Sequence, residues 1–218
     1  MATIVQFPSS TRVLEIKTDQ TECFRCDTHS EEILKVLQTR SDLWDVVLIV
    51  GDKRISAHCL ILIASSEYFS ALLSEPVGEI QTREITLNGV DADALEQLVN
   101  YCYTGRLELR GDTVEVLLTT ANHLRLKKVV EGCCDFLQRH IQPSNSLALA
   151  SLAEQLNHGA LLHNTRKIIC ENFAEVSNHP DFFLLSAKQL GEFIASDDLD
   201  VPSEDFLFEV LMKWIEYE

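Results

Sequence analysis

The sequence predicts an α+β domain, a short β-sheet flanked by helices, running into an all-α domain. Three observations predict it. A β-branched run, Val46 to Val50, meets Gly51-Asp52 and a second extended stretch, Lys53 to Ala57, and the pair reads as a hairpin. Apolar residues at helical spacing dominate most of the remainder. From Pro143 onward no strand signal occurs. The expected organisation is therefore a flexible tail at 1–27, an α+β domain at 28–140 and a helical region at 141–218.

The elements follow in order. Thr28 precedes Glu31 by three residues, as in a capping box, and Ile33, Leu34 and Leu37 then repeat at helical spacing. After the hairpin, His58 to Ala64 reads as a short apolar helix. Ser65 and Ser66 are cap candidates for a second helix carrying Tyr68, Phe69, Leu72 and Leu73. Ser74 to Arg83 has no period and contains Pro76 and Gly78, so it reads as a loop before a strand at Glu84 to Leu87. Asp91 caps a helix whose apolar face is Ala94, Leu95, Leu98, Val99 and Cys102, and Gly105 ends it. Asp112 with Glu115 opens a helix through His123, and Lys127 to His140 forms another. Leu147 to Leu156, Leu161 to Phe173, Ser186 to Ile194 and Asp205 to Tyr217 complete the helical region.

Composition removes several function classes. The net charge of −16 repels a polyanion, so no nucleic-acid partner is expected. The longest purely apolar runs are far too short to cross a bilayer, and the N-terminus has no basic stretch leading into an apolar one. A cytosolic or nuclear location with no membrane partner follows as the expectation. Seven cysteines, an odd number lying mostly within apolar periodic segments, read as reduced thiols rather than a disulfide framework. Cys23 and Cys26 form a C-x-x-C with His29 beyond, but zinc normally needs four ligands and no second pair follows. No Gly-rich phosphate loop, paired-carboxylate motif or metal-spaced cluster occurs, so neither an enzyme nor a cofactor is expected.

The order of motifs resembles the BTB–BACK region of the kelch-like family. Leu43-Trp-Asp-Val-Val-Leu48 is similar to the strand that opens BTB domains, Ile55-Ser-Ala-His58 to their "F.AH", and Ser66-Glu-Tyr-Phe69 to their "S.YF". Tyr101-Cys-Tyr-Thr-Gly105 is similar to "..YTG", and Leu137 to Asn145 to the join between BTB and BACK. Ser196 to Trp214 resembles the "S.D.L.V.SE" stretch of BACK domains and the helix after it. The resemblance covers residues 28 to 218 and implies a BTB/POZ domain followed by a 3-box and the N-terminal part of a BACK domain. The helix ending the chain carries a strong apolar face that needs a neighbour, so the BACK domain is expected to be incomplete and the chain a fragment of a longer protein.

The resemblance also implies a function: a non-catalytic, homodimeric adaptor of a cullin-3 ubiquitin ligase, recruiting a protein substrate through a further C-terminal domain. A second implied possibility is a BTB scaffold acting in transcriptional corepression or cytoskeletal (actin) organisation. Val77-Gly78-Glu79 falls where the family carries a hydrophobic residue, any residue, then Glu against cullin-3. Tyr103, His123, Leu124 and Leu126 are the further cullin-facing candidates. Ile33, Leu34, Leu37, Asp45 and Cys59 are the dimer-interface candidates. His58 alone suggests catalysis, but BTB domains carry it as a buried structural histidine. The family's basic residue after that histidine balances the strand aspartate. This chain has Cys59 there, which leaves Asp45 without its usual partner.

Overall fold

A computed structural model describes residues 29–74 and 83–217. Helix α1 (His29–Thr39) leads through a 3-10 turn at Ser41–Leu43 into the hairpin β1 (Val46–Val50) and β2 (Lys53–Ala57). Gly51 takes φ +56 in the connecting turn, where a Cβ is disfavoured. Two seven-residue helices, α2 (Cys59–Ser65) and α3 (Glu67–Leu73), precede β3 (Arg83–Thr86). The strand order is β2-β1-β3. β1 runs antiparallel to β2 with Leu48 opposite Ile55, and parallel to β3 with Leu48 opposite Ile85. Val46 and Leu48 point into the core from one face of β1 and are fully buried.

Helix α4 (Ala92–Thr104) has the predicted ends. The Asp91 carboxylate accepts from the Asp93 and Ala94 N–H groups, and Gly105 closes the helix at φ +65 with its N–H on the Tyr101 carbonyl. Helix α5 (Val114–His123) starts later than Asp112: Thr113 occupies the cap position, and its side chain makes no capping bond. Helix α6 (Lys127–Gln138) follows. Then come α7 (Pro143–Gln155), α8 (Gly159–Glu171), the single turn α9 (Phe173–Val176), a 3-10 segment Pro180–Leu184, α10 (Ala187–Ile194) and α11 (Glu204–Tyr217).

Two apolar clusters hold these elements. The first gathers the sheet and α2 to α6 around Leu48, Leu62, Phe69, Leu98 and Leu117, and it also takes Leu149, Leu152 and Ala153 from α7 and Leu161 from α8. The second is built on Ile169, Phe173, Phe182, Leu190, Phe193, Val210 and Trp214, and it takes Leu147 and Ala150 from α7. Helix α7 is therefore apolar on two sides, one for each cluster. Burying a large apolar side chain contributes about 1.5–3 kcal/mol. Cys133 and Cys134 belong to the first cluster as small hydrophobes on α6.

Candidate protein-docking surface

The sheet's exit into α2 carries a compact polar node. The Tyr103 hydroxyl accepts from the His58 main-chain N–H at 2.9 Å and pairs with His58 Nδ1 at 2.6 Å, all of it buried. The two rings meet edge to face at 5.7 Å. His58 is thus held as a structural group. Tyr103 is 3% exposed and lies in the core, which corrects the expectation that its ring faces a partner. Sequence spacing placed it near a helix end; the pairing 45 residues away that draws it inward is not local.

Asp45 is not uncompensated. Its Oδ1 accepts from the Cys59 main-chain N–H at 2.6 Å, so the carboxylate caps the first turn of α2. Burial, followed by the Asp45 charge, pushes the Cys59 thiol up to about 11, and the nearby Arg83 guanidinium opposes that shift.

Three consecutive residues at the start of α3 connect to the turn between α5 and α6. The Ser66 hydroxyl accepts from the Phe69 N–H at 3.2 Å and donates to the Leu124 carbonyl at 2.5 Å. Glu67 pairs with Lys127 at 2.6 Å, which holds the Glu67 carboxyl below its usual range. The Tyr68 ring lies 5.6 Å from the His123 ring. The turn itself is tight: Arg125 adopts φ +53, and the Leu126 N–H reaches the Ala121 carbonyl at 2.9 Å. Leu124 and Leu126 are buried on either side of Arg125 and anchor the turn in the core. That corrects their assignment to an exposed end; of the consecutive candidates only His123 is exposed.

An exposed face results. Tyr68 is half-buried and Leu72, four residues on along α3, is 43% exposed. Val116, Thr119 and His123 form an exposed stripe on α5 at helical spacing, with Val116 also 43% exposed. The sequence reading missed Leu72 and Val116 as surface residues. Both sit in apolar periodic stretches, and only the packed structure shows which side of the helix is left outside. Val77 and Glu79 lie outside the described residues, as do Cys23 and Cys26.

A second apolar face lies on α1. Leu34 and Leu37 are half-buried, whereas Ile33 is 47% and Val36 59% exposed. Gln38 donates to Asn100 of α4 at 2.7 Å, and Arg106, just past α4, pairs with Glu31 at 3.2 Å on the surface. Among the described residues, no group of three or more His, Cys, Asp or Glu side chains could hold a metal, and no helix is long and apolar enough to cross a membrane.

A small β2-β1-β3 sheet wrapped by helices and continued by a helical region is the architecture of a BTB–BACK protein. The BTB/POZ domain model matches residues 34–141, and the model described as "BTB And C-terminal Kelch" matches residues 146–218. The chain belongs to the BTB-BACK kelch-like family. It is 38% identical over 200 residues to Kelch-like protein 5 of Homo sapiens, a match covering 90% of this chain and 26% of that protein. It is equally similar, 38% over 200 residues, to Kelch-like protein 1 of Mus musculus, covering 90% of this chain and 27% of that one. The chain thus spans about a quarter of the length of these curated relatives. Among solved structures, the BTB domain of zebrafish PATZ1 is similar over 55% of this chain and 99% of its own, at 26% identity and a TM-score of 0.48.

Proposed function

We propose that the chain is a non-catalytic adaptor of a cullin-3-RING ubiquitin ligase, docking the cullin N-terminal domain through α3, α5 and the connected BACK helices. The observation that carries this reading is the Tyr68–His123 contact between α3 and α5, with exposed Leu72 four residues further along α3 and exposed Val116 seven residues back along α5. It lies where α3 gives way to the segment holding Val77 and Glu79. Aromatic and aliphatic side chains grouped on a fixed helical face suit a helical partner with an apolar stripe. A dimer formed through the α1 face would hold two cullins and two substrates, so that affinity arises from avidity. The ubiquitin-transfer chemistry then belongs to other subunits.

Isothermal titration with the cullin-3 N-terminal domain tests the reading. The unmodified chain is expected to bind, and Leu72→Asp to weaken binding at least tenfold, about 1.4 kcal/mol. An unmodified chain that does not bind would instead favour a BTB scaffold of the corepressor or cytoskeletal kind.

A further inference from the structure

We infer that Ser66 is a positioning residue for the docking surface: from within the core it fixes α3 to the α5–α6 turn, and so fixes Tyr68 against His123. The inference rests on the adaptor reading above and names a residue that sets that surface without touching the partner. Ser66 is 3% exposed, so no partner side chain reaches it.

The chemistry is particular to a hydroxyl. The oxygen accepts the Phe69 N–H, which caps α3, while its proton goes to the Leu124 carbonyl. A hydroxyl is the smallest side-chain group that accepts and donates at once, whereas an ionised carboxylate would cap α3 but has no proton to give. The Leu124 carbonyl stands at the end of α5, where helix carbonyls lack a partner within the helix. The Ser66 proton satisfies it. α3 has only seven residues, too few to hold helical geometry or orientation without tertiary ties.

Those ties are consecutive and graded by depth. Ser66 meets Leu124 in the core, Glu67 meets Lys127 on the surface, and Tyr68 meets His123 at the docking face. The Glu67–Lys127 pair is exposed on both sides and screened by solvent, so it contributes little. Of the two polar ties, the buried bond is the one shielded from solvent. Its partner is a turn with a non-glycine residue at φ +53, a conformation that L residues resist and that surrounding contacts must maintain. Without the Ser66 bond the turn loses one of those contacts, and the arrangement that presents Tyr68 beside His123 becomes less populated. A partner that binds only that arrangement then binds more weakly in proportion.

The experiment compares the unmodified chain, Ser66→Ala and Ser66→Thr, using binding kinetics with the cullin-3 N-terminal domain and amide hydrogen exchange read by mass spectrometry. Ser66→Ala is expected to bind about tenfold more weakly, mostly through slower association. Its exchange should accelerate across residues 122–128 and the start of α3, while the sheet and α8 to α11 exchange as before. Ser66→Thr, which keeps the hydroxyl, should recover both. Unchanged exchange around the turn in Ser66→Ala overturns the inference whatever the binding shows. So does faster exchange spread evenly over the chain, or a Thr variant no better than Ala. An unmodified chain that does not bind removes the adaptor reading, and the positioning role with it. In that case altered exchange confined to the turn would mark the bond as purely architectural.

Discussion

The Tyr103 hydroxyl satisfies two groups of one residue, the His58 main-chain N–H at 2.9 Å and its Nδ1 at 2.6 Å. It bridges the end of α4 to the junction between β2 and α2, elements that meet 45 residues apart in sequence. Burial raises the phenol's pKa, so the hydroxyl keeps its proton, and the tautomer of His58 sets which of the two groups donates in the Nδ1 pair. Tyr103→Phe leaves both His58 groups buried without that partner, and a cost of about 1–3 kcal/mol is expected. Thermal unfolding should show it as a midpoint lower by about 2–4 °C for each kcal/mol lost. An unshifted midpoint would mean that His58 finds another partner.

Homodimerisation is expected through the exposed face of α1. Ile33→Asp combined with Val36→Asp places two charges on that face while Leu34 and Leu37 keep their half-buried positions. Sedimentation velocity at micromolar concentration should give a dimer for the unmodified chain and a monomer for the double variant. A monomer for both would remove the dimer from the adaptor reading.

The family's hydrophobic-x-Glu position gives a separate prediction. Val77→Ala with Glu79→Ala should weaken cullin-3 binding by about 2 kcal/mol, roughly thirtyfold, while light scattering still reports a dimer. Binding equal to that of the unmodified chain would make those two residues irrelevant to the contact.

Alkali should destabilise the fold through its thiols. Burial pushes Cys59, Cys133 and Cys134 up to about 11 from an ordinary 9.0, with Cys170 shifted in the same direction. A raised folded-state pKa means stability fully present below pH 9.0 and lost as the pH climbs towards about 11, because the unfolded chain ionises first. Melting midpoints should therefore fall as the pH rises from 9.0 to about 11. Cys133→Ala should flatten that fall. Iodoacetamide labelling of Cys133 at pH 8, followed by peptide mapping, should be slow until denaturant is added.

Gly105 closes α4 at φ +65 with open space where a Cβ would sit, so backbone strain alone decides the effect of a substitution. Gly105→Ala should cost about 1 kcal/mol, read by urea denaturation with an unchanged m-value. A neutral substitution would show that the helix end readily adopts another closure.

The hairpin, the Asp91 and Gly105 ends of α4 and the helical run from Pro143 onward were legible because each is written within a few neighbouring residues. The parallel pairing of β3 with β1 was not, since β2 and two helices lie between Leu48 and Ile85 in the chain. The candidate site was legible in part. Ser66 and the Tyr68-Phe69 pair stood out, but spacing alone could not show that the Ser66 proton reaches a carbonyl 58 residues away. Leu124 and Leu126 look like surface leucines beside charged neighbours until the left-handed Arg125 turns both inward.

Helix α7 gives Leu149, Leu152 and Ala153 to one apolar cluster and Leu147 and Ala150 to the other. Because the two clusters share this helix, neither can melt without stripping cover from its neighbour. The change of patterning near residues 140–143 falls just before this shared helix. Denaturation is accordingly expected to run as one concerted event, with a calorimetric enthalpy equal to the van't Hoff value. A mechanical load applied to the helical half would reach the sheet through this shared rod rather than dissipate in a slack joint.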